Sequence, residues 1–265
     1  FAHRFITRRV NHILVNAHVP ISIHSIETIW PNSVAISGVN LHGNEGDTIV
    51  YAEKFGATVS LIGLLQRKVL IPSAFLSNSN ILLLRQNADQ QINIAEAFSN
   101  NQKKKRQKLE KSREKTWEVS LGSLDISGLK FQMLDSVAGI YIDQEIGSLN
   151  LTSDEISIIH KIILVQTLDI NGANGTIKLS KKPENKKSET TAQWDFGLTD
   201  LSLKDVDITY DDVVQRSKLN LSLESFIAKT RESDIDNKTI DLNRVSLSGA
   251  SAFLQMDRRT GKLKE

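Results

Sequence analysis

Four histidines crowd the first 24 residues: His3, His12, His18 and His24. Imidazoles that converge with a carboxylate would make a zinc-type site. These spacings put them on different helix faces or in loops, so they read as solvated or capping side chains. A second cluster is acidic: Asp200, Asp205, Asp207, Asp211 and Asp212. Alternate carboxylates on the polar side of a strand are hard oxygen ligands of the kind calcium takes. No glycine-bearing loop of the EF-hand kind accompanies them, and a charged edge that resists aggregation is the plainer reading. Gly122-Ser-Leu-Asp-Ile-Ser-Gly128 sets serines among glycines, but not in the G-x-S-x-G spacing of a nucleophile elbow. No phosphate-cradling, dinucleotide-binding or H-E-x-x-H pattern occurs. The chain has no cysteine, which excludes disulfides and thiolate metal sites. The residues predict no catalytic constellation, no metal and no cofactor, and so a non-enzymatic protein.

Charge narrows the partners. The net charge of the 265-residue chain is +2, unevenly placed. Lys103 to Lys115 holds eight basic and two acidic residues, and Lys181 to Gln193 holds four and two. Removing those excesses of six and two leaves −6 for the rest. The basic charge lies in loops, not on a folded face interleaved with aromatics, which argues against nucleic acid. The loop at 103–115 could attract anionic headgroups, but reads first as a solubilising segment. No apolar run approaches the ~18 residues needed to cross a bilayer. The chain opens without Met or a leader, and is expected to follow a missing anchor.

The elements that hold these residues share one pattern, apolar-x-apolar-x-x-apolar-x-apolar. It reads Val34-Ala-Ile36-Ser-Gly-Val39-Asn-Leu41 and Leu124-Asp-Ile126-Ser-Gly-Leu129-Lys-Phe131. It returns at Val69–Leu76, Leu201–Ile208 and Ile240–Leu247, with a truncated copy at Leu168–Ala173. Alternation of period two gives a strand with one apolar face. The extra residue midway would flip the face, so a β-bulge is predicted in each copy to absorb it. The expected fold is mostly β: an elongated, curved and twisted antiparallel sheet, a half-open trough of repeats. An N-terminal amphipathic α-helix precedes it over Phe1–Ala17, with Ile6, Val10, Ile13 and Leu14 on one face and Arg4, Arg8, Asn11 and His12 on the other. This helix reads as a cap on the sheet's end or a basic surface near a membrane. Residues 93–97 and 153–163 are the expected helical interruptions.

Polar, charged segments at 99–116 and 181–193 read as flexible loops. Trp117–Phe131 aligns without gaps to Trp194–Ile208 at an offset of 77, matching seven apolar positions. The chain therefore divides into a cap helix (1–18), a first β unit (19–98), a loop (99–116), a second unit (117–180), a loop (181–193) and a third unit (194–265). Self-similarity at a near-fixed period is the mark of an array that grows by stacking.

Residues 21–98 resemble the N-terminal region of the TamB/AsmA-like proteins of the Gram-negative envelope. The motifs that carry the resemblance are Val34–Leu41, Gly46-Asp-Thr-Ile49, Ser60-Leu-Ile-Gly-Leu-Leu65 and Asn93-Ile-Ala-Glu-Ala97. The resemblance implies a periplasmic protein anchored in the inner membrane through an N-terminal helix. It further implies a hydrophobic trough similar to that of chorein-type lipid bridges, and an outer-membrane barrel of the BamA/TamA type as partner.

A sheet face of Leu, Ile and Val must be covered by something. A second sheet would make a closed sandwich; the preferred reading leaves the face to phospholipid acyl chains. The candidate groove residues are Ile36, Val39 and Leu41, then Val119, Leu121, Leu124, Ile126, Leu129 and Phe131, then Phe196, Leu198, Leu201, Leu203, Val206 and Ile208. The expected function is lipid conduction or envelope assembly between two membranes. The alternative is a scaffold that helps outer-membrane barrels insert by strand addition.

Overall fold

The computed structural model describes residues 2–16, 20–29, 32–43, 46–60, 62, 68–97, 118–157, 162–181, 195–234 and 239–257. A helix α1 (Ala2–Asn16) precedes ten strands: β1 (Ile21–Ile29), β2 (Ser33–His42), β3 (Thr48–Thr58), β4 (Lys68–Arg85), β5 (Glu118–Asp135), β6 (Ile140–Ser157), β7 (Ile162–Leu179), β8 (Asp195–Asp212), β9 (Ser217–Asp234) and β10 (Thr239–Met256). They form one open, curved sheet in which spatial order is sequence order. A five-residue helix at 93–97 follows β4. The mostly-β fold expected from the alternation is the one seen. The helix expected at 153–163 is not: its described residues end β6 and begin β7. Of the two charged loops, residues 99–116 and 182–193 lie outside the described residues.

Of the nine neighbouring pairs seven are antiparallel, and two, β4 with β5 and β7 with β8, run parallel. Those joins fall where the sequence units meet. Parallel neighbours cannot be joined by a tight turn, so the chain between them must return the length of a strand. The two charged segments lie between those strands in sequence.

The repeat is stricter than the sequence alone suggested. β8, β9 and β10 are β5, β6 and β7 displaced by 77 residues at both ends of every strand. Local devices repeat with them. Asp135 Oδ1 accepts from the Val137 and Ala138 amides in the turn after β5, and Asp212 Oδ1 accepts from the Gln215 amide after β8. Gly139 and Arg216, also 77 apart, both hold positive φ. Ser153 Oγ donates to the Leu121 and Gly122 carbonyls; Thr230 Oγ1 does so to Leu198 and Thr199.

The parity shift is resolved differently from expectation. Between Ile23↔Val39 and Ser25↔Ser37 the register does not slip, which leaves His24 opposite Gly38. The same unshifted gap recurs across every ladder. It lines up His24, Gly38, Glu53, Asn78, Gly128, Gly147, Gly172, Asp205, Glu224 and Gly249 in one transverse row. Every strand carries the extra residue at the same level, so none bulges there against its neighbour. The bend instead uses the left-handed backbone region at Gly38, Asn78, Gly128, Gly172, Asp205 and Gly249. These belong to β2, β4, β5, β7, β8 and β10, which all run the same way; the row residues of β1, β3, β6 and β9, running the other way, hold no positive φ. Glycine, or the tolerant Asn and Asp, is therefore required in one strand direction only.

A true irregularity falls in β10, between Leu242 and Arg244. The copy of the pattern at Ile240–Leu247 spans it and is out of step with those at Val34–Leu41, Leu124–Phe131 and Leu201–Ile208; so is the copy at Val69–Leu76, whose in-register counterpart on β4 is Ala74-Phe-Leu76-Ser-Asn-Ser79-Asn-Ile81. The copy in register with Leu168–Ala173 is Val245-Ser-Leu247-Ser-Gly-Ala250.

Candidate lipid-facing surface

Because every strand shifts parity at the same row, apolar side chains stay on one face from β1 to β10. They form transverse lines, one side chain per strand. One line runs Ile26, Ile36, Phe55, Leu76, Ile126, Leu149, Ile170, Leu203, Phe226, Leu247. On the other side of the kink row lies Ile23, Val39, Ala52, Ser79, Leu129, Ile146, Ala173, Val206, Leu223, Ala250. Flanking lines contain Leu124 with Leu201, and Leu41 with Phe131 and Ile208. No charged side chain interrupts these four lines. Nine inter-strand steps of about 4.8 Å make each line about 43 Å long.

Eleven of the fifteen candidate residues, those at 36, 39, 41, 124, 126, 129, 131, 201, 203, 206 and 208, thus come together on one face, in three groups joined by the intervening strands. Leu121 and Leu198 lie nearer the strand starts, where Ile71 pairs with Leu121 and Val165 with Leu198. Val119 pairs in register with Val69. Phe196 lies near the same end and is 38% exposed. Val206 is buried at the centre of a cluster with Ala173 and Leu223, against which Leu203, Ile208 and Phe226 pack.

Single-layer packing explains the burial. Most of the face is half-buried by its in-plane neighbours, and full burial is confined to small or central residues such as Ala74, Ala173 and Val206. Among the described residues no second sheet covers the face, which sets the closed sandwich aside. One corner is covered: Ala97 of the short helix packs with Leu41 and Ile49, and Ile94, Leu83 and Val50 close round them. Leu41 is sealed there and leaves the open part of the groove. Asn93 fixes this helix by accepting from the Leu84 amide (3.0 Å) and donating to the Leu82 carbonyl (3.0 Å), on β4.

Among the described residues two buried side-chain polar atoms have no hydrogen-bond partner, Ser79 Oγ and Gln144 Nε2. Both belong to residues of the apolar lines. Gln144 lies over Gly175, where a Cβ would come within 2.8 Å of its amide nitrogen.

The opposite face is mostly polar, with Phe75, Ile227 and Phe253 among the exceptions, and its polar groups pair across strands. Lys130 meets Glu145 at 3.1 Å and Lys229 meets Asp200 at 2.9 Å. Ser222 donates to Asp207, and Thr209 to Asn220. The five aspartates between 200 and 212 are spread out: Asp200 and Asp207 on this face, Asp205 in the kink row, Asp211 in register with Lys218 of β9, Asp212 buried under a turn. They gather no cation site, and no group of three His, Asp or Glu residues among the described residues could hold a metal. His24 stands over Gly38, and His42 shares a 3.0 Å hydrogen bond with Ser22. The His3 side chain and His18 lie outside the described residues.

The rim at the far end of the strands holds an ion pair whose carboxylate is buried. Arg85 on β4 and Asp135 on β5 lock together across the first parallel join. The hydrogen bond from Arg85 holds the Asp135 carboxyl below the ordinary carboxylate range against the opposing effect of its burial, helped by the Ala138 and Val137 amides.

α1 covers the outer edge of β1. Asn11 donates to the Ile23 carbonyl (2.7 Å) and accepts from its amide (3.0 Å), and Thr7 accepts from the Ile26 amide (3.0 Å). Asn11, which periodicity assigned to the solvent side, faces the sheet. Arg8, Arg9 and His12 remain exposed, and no helix among the described residues is long and apolar enough to cross a membrane. Comparison with protein-family models and with curated proteins returns no match for the chain.

Proposed function

We propose that this chain is a non-enzymatic, lipid-conducting segment of a Gram-negative envelope protein, working in the periplasm between an inner-membrane anchor and an outer-membrane barrel of the BamA/TamA type. The observation that carries the reading is the set of uncharged transverse lines running the full width of a one-layer sheet. Hydrocarbon laid on them gains roughly 0.8 kcal/mol per buried CH₂. Eight methylenes then contribute about 6 kcal/mol. The surface repeats at every strand step, so an acyl chain can advance one step and find the same environment. Polar groups that would pin it are nearly absent, with Ser79 and Gln144 as the exceptions.

The test is to place a charge on the open part of the face. Ile126→Glu and Leu203→Glu should keep the far-UV circular dichroism spectrum and lower transfer of a fluorescent phospholipid between vesicles at least tenfold. Ser127→Glu, on the polar face, should leave transfer intact. Unchanged transfer in the first two variants refutes conduction along this face.

A second reading, a scaffold that guides nascent barrels by strand addition, is favoured by the edge of β10, beyond which no described element lies. It predicts that prolines in β10 abolish client assembly while charges at Ile126 and Leu203 do not.

A further inference from the structure

The two edges of the sheet are unlike. At β1 the helix α1 occupies the outward backbone groups through Thr7 and Asn11. At β10 no described element lies beyond the strand. The 77-residue repeat shows what such an edge is shaped for. β10 is the counterpart of β7, and β7 gives its equivalent edge to a parallel strand, β8. β4 does the same for β5.

In both parallel joins the facing kink residues share positive φ: Asn78 (47°) with Gly128 (66°), and Gly172 (69°) with Asp205 (50°). Gly249 on β10, at φ 57°, presents one half of such a join. Burial differs between the two edges in the same way. Ala173 on β7 is 9% exposed, whereas its counterpart Ala250 is exposed. Ile170 is half-buried, and its counterpart Leu247 is 57% exposed.

We infer that the β10 edge accepts a β-strand of the sheet's own repeat class. The strand runs parallel to β10, carries apolar-x-apolar-x-x-apolar-x-apolar, and sets a glycine, asparagine or aspartate opposite Gly249. Its register copies that of β7 with β8. The residue facing Leu247 is the second apolar position, as Leu203 faces Ile170, and the residue facing Ala250 is the third, as Val206 faces Ala173. Such a strand lengthens every transverse line by one step and leaves the apolar face uncovered. The inference holds whatever the lines carry.

The chain lacks cysteine, so engineered thiols report the register directly. Neighbouring strands about 4.8 Å apart lie within disulfide reach. The full chain with Leu247→Cys is mixed under a thiol-exchange buffer with a synthetic peptide of residues 195–212 carrying Leu203→Cys. Two control peptides are used: one with the cysteine at Ser202 instead, and one adding Asp205→Pro, since proline cannot reach positive φ. The matched peptide should link at least tenfold faster than either control. A chain with Ala250→Cys and a peptide with Val206→Cys should repeat the result one line along. Both positions are exposed, so circular dichroism should stay unchanged. Equal rates for all peptides, no adduct, or self-linked chains outpacing the peptide would each overturn the inference, the last by giving the edge to a second copy.

Discussion

At the scale of single residues, the kink row is where chemistry is most constrained. A Cβ at Gly172 would meet nothing nearer than 3.7 Å, but the backbone sits at φ 69°. Gly172→Ala should therefore cost only the left-handed penalty, about 1–2 kcal/mol, and lower Tm by roughly 2–8 °C. At Gly38 the same penalty is joined by a clash, because a Cβ would lie 2.6 Å from the His24 Cβ. Gly38→Ala should be the more damaging of the two, and differential scanning calorimetry ranks them. Thr230→Val removes the hydroxyl shared by the Leu198 and Thr199 carbonyls and should cost about 1 kcal/mol, read from the urea midpoint.

The ion pair at the rim gives a pH prediction. Asp135 has its folded pKa lowered, so its stabilisation is present above the unfolded carboxyl pKa and is lost as pH falls through the folded value. Wild type should exceed Asp135→Asn by a constant margin from pH 7 to about pH 5, and the margin should shrink below about pH 4. Urea titrations at several pH values check the sign. None of this was legible in the sequence. Neither the Arg85–Asp135 pair nor the position of Asn11 follows from hydropathy, which counts a polar side chain as solvent-facing whatever it binds.

At the scale of elements, the strands announced themselves where their apolar positions are large, as in β2, β5 and β8. They were harder to see where small or polar residues hold those positions. β3 carries the pattern as Val50-Tyr-Ala52-Glu-Lys-Phe55-Gly-Ala57, with two alanines. β6 opens it with Gln144. In β9 the copy Leu221-Ser-Leu223-Glu-Ser-Phe226-Ile-Ala228 is complete, but Ile227 on the other face blurs the alternation. The kink row was unreadable for a further reason: a bulge and an aligned left-handed bend leave the same one-residue parity shift in a single strand. Only the neighbour's register separates them. The edge cap provides a test at this scale. Thr7→Val with Asn11→Leu would strip three backbone groups of β1 of their partners while keeping the helix apolar on its inner side. The variant should self-associate through the freed edge, and light scattering should show mass rising with concentration where wild type does not.

At the scale of the whole molecule, side-chain alternation carries no strand direction, so a uniformly antiparallel sheet was the natural expectation. The two parallel joins had a signal nonetheless: long charged segments at the unit boundaries, where tight turns would otherwise suffice. The repeat matters because it keeps ten bends level. One strand out of step would break every apolar line and turn its side chains to the polar face.

The most direct measurement places a photo-crosslinking amino acid in turn at Ile126, Leu203, Ser127 and Lys204 and irradiates the protein with phospholipid vesicles. The account predicts phospholipid adducts at Ile126 and Leu203, detected by mass spectrometry, and few at Ser127 and Lys204. Equal labelling on both faces, or labelling confined to Ser127 and Lys204, would contradict it.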